Sequence, residues 1–253
     1  MARTYSAEGI VLRRTNFGEA DRLITFLTRY KGKLTALAKG VRRIASRRAP
    51  HLELLNHVKI FLAVGKNFDI VTEAEAIATF KQTKENLNKV GFGFYLVEVT
   101  NEFLAEGQGA RVVFELLLRA LRLLETETNL EKIKTFLRAY ELKFLEAVGF
   151  RPQLEVCVKC GHNVGRSNVF LSPEAGGIID GSCAASSLFV KKISPDAAKT
   201  LRFLQREDWQ NVERLSVYPR LNAELERSLR FYLEYLLEKE IKSAKFLEEI
   251  RKG

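Results

Sequence analysis

The sequence is poor in several features that define large classes of proteins. It has only three cysteines in 253 residues, too few for a disulfide framework, and no stretch approaches the roughly 18 uninterrupted apolar residues that a membrane span needs. Its first residues, MARTYSAEGIVLRR, lack the apolar core of a secretory signal. These absences favour a reducing compartment and no membrane contact, and we expect the protein in the cytoplasm.

Catalytic signatures are also missing. The sequence contains no GxxxxGK[ST] motif, and its GFGF stretch at residues 91–94 lies inside a helical pattern, where close helix packing explains the glycines better than phosphate binding. The histidines, His51, His57 and His162, lack the neighbours that nucleophilic or hydrolytic chemistry requires. We therefore predict that the protein is not an enzyme. A metal-dependent nuclease is the enzymatic alternative, but it would need a carboxylate cluster that the sequence does not offer.

Positive charge is what the sequence has in excess. The formal net charge is +10, and the sequence up to Thr79 has fourteen lysines and arginines against seven acidic residues. This segment therefore carries +7 of the total in less than a third of the chain. Such a concentrated basic patch can neutralise several phosphates at once, which points to a nucleic acid as the partner.

The same segment has the pattern of a small β-barrel. Five short β-rich runs lie between Ala7 and Thr79, and several of them alternate between apolar and polar residues. Gly32 suits a tight hairpin between the second and third runs, and Gly65 suits another between the fourth and fifth. Five strands in about 75 residues fit a Greek-key barrel of the oligonucleotide-binding (OB) type, although an SH3-like barrel has the same strand count.

The connection between the third and fourth runs contains four arginines and no acid over residues 40–50. We expect this segment to be mobile without a ligand and to follow a phosphate backbone, although a solvated loop that aids solubility is the alternative. Phe17, Tyr30, Phe61 and Phe68 offer aromatic faces for bases, but strand aromatics more often belong to a core. The predicted DNA-binding residues are Arg13, Arg14, Lys31, Lys33, Lys39, Arg42, Arg43, Arg47 and Arg48.

From Lys81 onward the apolar residues follow a helical period. Asn129 is a predicted helix cap, Gly149 a predicted helix end, and Ser194 the cap of a helix that begins at Pro195. The last helix is predicted to run from about Leu221 to Ile250. The predicted fold is therefore α+β, with a five-stranded OB barrel at residues 1–80, a mostly α-helical domain at 81–253, and a small zinc-finger-like insert at about 154–190.

The three cysteines form part of a metal-binding pattern. Cys157 and Cys160 make a CxxC knuckle, and Asp180 and Cys183 have the same spacing after a second glycine-rich stretch. Zinc accepts a carboxylate oxygen, so these four residues are the candidate ligands of one structural zinc ion. His162 is a substitute ligand. The alternative is a zinc-ribbon-like hairpin that has lost a ligand and is held by packing alone.

The order of several short segments resembles the bacterial RecO family of recombination mediators. The resemblance covers nearly the whole chain. It rests on residues 8–12, 18–21, 32–34, 38–43, 46–47, 149–152, 157–161, 172–177 and 242–247, with Thr28. Asp180 stands where the family's four-cysteine pattern has its third cysteine, which puts the metal in question but not the fold.

The resemblance implies a function as well as a fold. Members of the family have an N-terminal OB fold and a helical domain with a zinc-finger-like insert. They bind single- and double-stranded DNA, anneal complementary strands, associate with RecR and in many cases with the single-stranded-DNA-binding protein, and help load RecA at gaps. We expect the same activities here, at the nucleoid. The alternative is a protein-interaction scaffold that acts mainly through its helical domain.

Overall fold

The computed structural model describes residues 3–109, 111–164 and 168–250. The strands are β1 (Thr4–Phe17), β2 (Asp21–Thr28), β3 (Gly32–Ala38), β4 (His57–Ala63), β5 (Asp69–Ala78), β6 (Val169–Ser172), β7 (Gly177–Asp180) and β8 (Lys191–Ile193). The helices are α1 (Lys81–Glu85), α2 (Leu87–Phe103), α3 (Arg111–Thr126), α4 (Leu130–Ala147), α5 (Gly181–Ala184), α6 (Pro195–Arg206), α7 (Trp209–Arg214), α8 (Pro219–Leu237) and α9 (Lys242–Ile250).

The first five strands close into a barrel with the neighbour order β1, β2, β3, β5, β4. All pairs are antiparallel except β3 with β5, which pair in parallel through Ala36 and Leu37. This is the strand order of an OB fold, and it confirms that prediction. The barrel core consists mainly of aliphatic side chains, namely Val11, Ile24, Phe26, Ala36, Ala38, Val41, Leu52, Val58, Ile60, Leu62 and Val71.

The length of β1 allows the barrel to close. Residues 4–10 of β1 pair with β4, and residues 9–17 pair with β2, so one strand serves both neighbours. The register between β1 and β2 shifts between Val11 and Arg13. Such a bulge increases local twist and bends the strand, as a small closed barrel requires.

Contacts divide the chain into two compact units. The first contains residues 1–126 and 242–253, and the second contains residues 127–241. The barrel, α1, α2, α3 and α9 thus belong to one unit. The predicted division at residue 80 separates the barrel from the helices that pack on it, and as a statement about independent domains it stays a prediction.

Two glycines of α2 permit close packing inside the first unit, as the sequence predicts. A Cβ atom on Gly91 would lie 2.6 Å from Leu247 Cδ2 of α9, and one on Gly93 would lie 2.7 Å from Leu55 Cδ1. A link between the barrel and α3 adds to this packing. Arg29 donates from Nη1 to Glu8 at 2.8 Å and from Nε to Glu115 at 2.8 Å.

The second unit combines helices α4, α6, α7 and α8 with a three-stranded sheet in the order β7, β6, β8. The predicted caps are confirmed: Asn129 accepts from Glu131 N and Lys132 N, and Ser194 accepts from Ala197 N. Gly149 follows α4 with a φ of +89°. The fold class is therefore confirmed as an α+β protein with a small insert.

The predicted last helix is wrong in one respect, because it is two helices. α8 ends at Leu237, and Glu238 takes a left-handed backbone conformation with a φ of +53°. Ile241 is buried, and α9 then begins at Lys242 in the other unit. The apolar period continues across residues 238–241 without glycine or proline, so the sequence carries no local signal for this break.

The turn between β2 and β3 offers a test of packing against the segment that follows α2. Gly32 and Gly18 both have left-handed φ values, +66° and +59°, but a Cβ atom would lie 2.4 Å from Gln108 O at Gly32 and would meet nothing within 4 Å at Gly18. We expect Gly18→Ala to cost about 1 kcal/mol of stability through its backbone alone. Gly32→Ala should cost a further 1–3 kcal/mol, roughly, through the clash.

Chemical denaturation of the two variants measures this difference. Gly18→Ala is the matched control, because it carries the same backbone strain without the clash. Equal losses for the two variants would show that residues 107–108 move aside freely, which would contradict the close packing.

Candidate nucleic-acid interface and metal centre

The topology places the predicted basic residues at two different ends of the barrel. β1 and β3 both run antiparallel to β2, so they finish at the same end, together with the β1–β2 turn and the long connection 39–56. We call this the arm end, and residues 40–50 the arm. The β2–β3 and β4–β5 turns lie at the opposite end. Seven of the nine predicted residues lie at or toward the arm end, namely Arg13, Arg14, Lys39, Arg42, Arg43, Arg47 and Arg48.

The arm is folded against the barrel. Arg42 N donates to Ala20 O at 2.9 Å, and Ser46 N donates to Arg43 O at 2.9 Å. Arg48 Nη2 donates to Lys39 O at 2.7 Å, and Arg48 Nη1 donates to the carbonyl of Val71. These hydrogen bonds hold the arm in defined turns, and its mobility without a ligand stays a prediction.

The arginines of the arm divide into two groups. The guanidinium of Arg48 binds barrel carbonyls, and Arg42 Nη1 donates to Gly18 O at 3.1 Å. Arg43 and Arg47 are exposed, as is Arg13 on β1. Arg42 is exposed as well, but Arg42 and Arg48 fasten the arm to the barrel, whereas Arg13, Arg43 and Arg47 present their charge to solvent.

Arg22 joins the arm end although the sequence analysis did not select it. It is the second residue of β2, pairs with Asn16 across the hairpin, and donates from Nε to Asn16 Oδ1 at 3.2 Å. Burial, and next the charge of Arg22, lower the pKa of the Arg14 guanidinium, which shows that the two arginines lie near each other. The position of Arg22 beside the β1–β2 turn is the signal that could have identified it.

Acidic residues at the arm end are few and mostly engaged. The turn at 18–21 and the connection 39–56 contain only Glu19, Asp21 and Glu53. Asp21 Oδ1 accepts from Gly40 N at 2.6 Å, and Glu53 forms an ion pair with Lys84 at 3.3 Å. The arm end therefore keeps a strong excess of positive charge.

The two remaining predicted residues lie at the opposite end. Lys31 Nζ is 4.4 Å from the centre of the Tyr5 ring, a cation–π contact. Lys33 Nζ donates to Asn101 O at 2.7 Å and to Leu104 O at 2.9 Å, where it satisfies carbonyls at the end of α2. These two hydrogen bonds explain the position of Lys33 without a contact to DNA, so Lys33 is not part of the proposed interface.

A cleft beside β3 is acidic. It has a volume of about 400 Å³ and is lined by Leu34, Thr35, Asn67, Phe68, Asp69 and Glu106. Glu106 accepts a hydrogen bond from Thr35 N at 2.5 Å, and Lys33 N donates to Gln108 O at 2.7 Å, so residues 106–108 cover the edge of β3. Two carboxylates and no lysine or arginine line this cleft, which makes it a poor site for phosphate.

The aromatic residues named from the sequence are not core residues. The exposed fractions are 46% for Phe17, 76% for Tyr30, 36% for Phe61 and 38% for Phe68. Phe17 lies at the arm end as the last residue of β1, whereas Tyr30 and Phe68 lie in or beside the opposite turns. Only Phe17 of these four therefore stands beside the arginines.

The candidate metal ligands come together in the second unit. One ligand atom each from Cys157, Cys160, Asp180 and Cys183 lies within 4.8 Å of all the others. The first knuckle turns because Cys157 N donates to His162 O at 2.9 Å and Gly161 has a φ of +75°. The group does not include His162, so the described residues favour Asp180 as the fourth ligand.

Asp180 has two roles in this cluster. Its Oδ1 accepts from Cys183 N at 2.8 Å and Ser182 Oγ at 2.6 Å, which caps the short helix α5. Its Oδ2 lies 3.0 Å from Cys160 Sγ. The hydrogen bond from Ser182, followed by that from Cys183 N, lowers the pKa of Asp180, so its carboxylate is charged.

The cluster fits a divalent cation such as zinc. Tetrahedral zinc with bonds of about 2.0–2.3 Å separates its ligand atoms by about 3.3–3.8 Å, so only small side-chain rotations are needed. The hydrogen bond to Asp180 raises the pKa of Cys160 to about 12, and zinc would replace the proton that this bond contains. Cys157 is buried with Ile179 and Ala184, which gives the site an apolar support.

The fold and these two sites define a class, an OB-barrel protein with a basic barrel end and a helical unit that carries a cluster of candidate metal ligands. The family model "Recombination protein O N terminal" matches residues 1–80, and "Recombination protein O C terminal" matches residues 84–245.

Curated relatives named "DNA repair protein RecO" are similar over almost the whole chain. The protein from Roseiflexus sp. (strain RS-1) is 36% identical over 98% of this chain and 87% of its own length. The protein from Symbiobacterium thermophilum is 33% identical over 98% of both chains. The chain belongs to the RecO family of DNA repair proteins. Among the described residues, no helix is both long and apolar enough to span a membrane.

Proposed function

We propose that the protein is a non-enzymatic recombination mediator that binds single- and double-stranded DNA through the arm end of its barrel. The observation that carries the proposal is the distribution of charge. The first unit contains 24 lysines and arginines against 15 acidic residues, whereas the second contains 17 against 16. Since phosphate contacts come from lysine and arginine, the first unit supplies the DNA-binding surface.

Annealing follows from this surface without covalent chemistry. Arginines that neutralise phosphates on two strands lower the repulsion between them, and complementary bases can then pair. In the cytoplasm, at the nucleoid, the protein acts with RecR to help load RecA onto DNA that the single-stranded-DNA-binding protein covers. The RecO family membership supports these partners.

The metal centre has a structural role in this proposal. Cys157, Cys160, Asp180 and Cys183 would hold one zinc ion, which would supply a cross-link between the knuckle and β7. Cys157 and Cys160 fix one side of this link, while Asp180 and Cys183 fix the start of α5. The barrel would bind DNA by its own residues in either case.

The test is annealing of two complementary labelled strands by the full chain, with and without the single-stranded-DNA-binding protein and in the absence of any divalent cation or nucleotide. We expect faster annealing both with and without the single-stranded-DNA-binding protein, and intact DNA at the end of the reaction. The proposal would be overturned if the protein did not accelerate the annealing of bare strands. It would also be overturned if the labelled DNA were cleaved once Mg²⁺ is added. If the protein accelerated annealing of bare strands but not of strands covered by the single-stranded-DNA-binding protein, that protein would not be a partner.

A further inference from the structure

The tip of the arm presents an apolar side chain to solvent. Ile44 is fully exposed, at 108% of the reference area, and it lies within the turn that Ser46 N closes onto Arg43 O. Single exposed apolar residues are common on protein surfaces. Ile44 differs because the bonds of Arg42 and Arg48 fasten its turn to the barrel, so the side chain is held away from the core.

A second exposed apolar side chain adjoins the same turn. Arg42 Nη1 donates to Gly18 O, the residue next to Phe17, and the Phe17 ring is 46% exposed. The end of β1 and the arm therefore each present one large apolar side chain to solvent, and a hydrogen bond joins the adjoining β1–β2 turn to the arm. Neither side chain belongs to the barrel core.

The charge around these side chains selects their partner. The arm end presents the guanidinium groups of Arg13, Arg43 and Arg47 to solvent, and two of its three nearby carboxylates are engaged. A partner that suits this surface carries regularly spaced anions and also exposes flat apolar faces. Unpaired DNA has both, whereas a duplex buries its base faces by stacking and pairing.

We propose that Ile44 and Phe17 contact the bases of unpaired DNA while the arginines bind its phosphates. This inference rests on the proposed function, because it assumes that the arm end binds DNA. It predicts that the protein prefers single strands, because single strands gain the apolar contact and duplexes of the same length do not. Side chains that stack on unpaired bases are common in proteins that bind single-stranded DNA.

Ile44→Gln in the full chain is the principal test, because a fully exposed side chain is replaced without loss of packing. Phe17→Ser is the second variant, and Tyr30→Ser is the matched control, since Tyr30 is an exposed aromatic residue at the opposite end. The probes are a single-stranded oligonucleotide with internal 2-aminopurine and a duplex of the same length and sequence. Affinity, 2-aminopurine fluorescence and the salt dependence of binding are measured for each.

We expect Ile44→Gln and Phe17→Ser each to lose about fivefold to tenfold in single-strand affinity and to reduce the fluorescence change, as loss of one base contact implies. Duplex affinity and the salt dependence should stay at the wild-type values, as should every result for Tyr30→Ser. Wild-type single-strand affinity and fluorescence in Ile44→Gln would overturn the inference while the proposed function stands. Absence of binding by the wild-type protein would instead overturn the proposed function.

Discussion

Replacing Arg13, Arg43 and Arg47 together by alanine is expected to weaken DNA binding at least about tenfold and to flatten its dependence on salt. These three arginines are exposed at the arm end and do not fasten the arm. Each phosphate contact contributes about 0.9 to the slope of log affinity against log salt for a duplex and about 0.7 for a single strand. The slope should therefore fall by about 2 to 3.

The structure decides which arginines to leave in place. Arg48 binds carbonyls of the barrel, so its replacement would release the arm and mix two effects. The control is Lys132, Lys199 and Arg214 changed to alanine, which removes the same charge from exposed positions of the second unit. An unchanged slope in the arm variant, or an equal fall in the control, would contradict the assignment of phosphate binding to the arm end.

Asp180→Cys is expected to tighten zinc binding by about tenfold or more and, at the same time, to destabilise the zinc-free protein. A fourth thiolate is a better zinc ligand than a carboxylate in a structural site. The same change removes the oxygen that accepts the capping hydrogen bond from Cys183 N, and loss of a cap destabilises a helix. The two roles of Asp180 therefore predict opposite changes in the two states.

Chelator competition measures the zinc affinity, and thermal unfolding with and without zinc measures the stability. Ser182→Ala is the control for loss of a hydrogen bond at Oδ1, because it removes one such bond and leaves the cap from Cys183 N and every candidate ligand in place. Asp180→Ala should weaken zinc binding and also lose the cap. If Asp180→Cys and Asp180→Ala bound zinc equally well, Asp180 would not be a ligand.

The barrel could be predicted from the sequence because its signals are local. Alternating apolar residues such as Ile24 and Phe26 mark the inner face of β2, and Gly32 supplies the left-handed turn that the hairpin needs. Helix ends with capping side chains, such as Asn129 and Ser194, were predicted for the same reason. The break at Glu238 was missed because it depends on the burial of Ile241 and not on any residue that stops a helix.

The candidate sites could be predicted only in part. The equal spacing of the two knuckles predicted that Asp180 lies with the cysteines. Its capping of α5 could not be predicted, because this helix has only four residues and is too short to show an apolar period. Lys33 and Arg48 have the charge of DNA-binding residues, but they bind carbonyls of other segments, Lys33 at the end of α2 and Arg48 at Val71. Which end of the barrel a basic residue occupies follows from strand direction, which composition does not encode.

The return of α9 to the first unit makes residues 127–241 an insertion between two parts of one folded body. The inserted unit is joined to the first unit at both of its ends, so cleavage of the chain at one junction leaves the other junction intact. A fragment that starts at Lys81 would retain α2 but lose the β1 strand on which α2 packs, and it would expose apolar surface. Deletions from either end of the chain would thus confuse loss of DNA contact with misfolding, whereas replacement of residues 127–241 by a linker removes one compact unit and keeps both parts of the other.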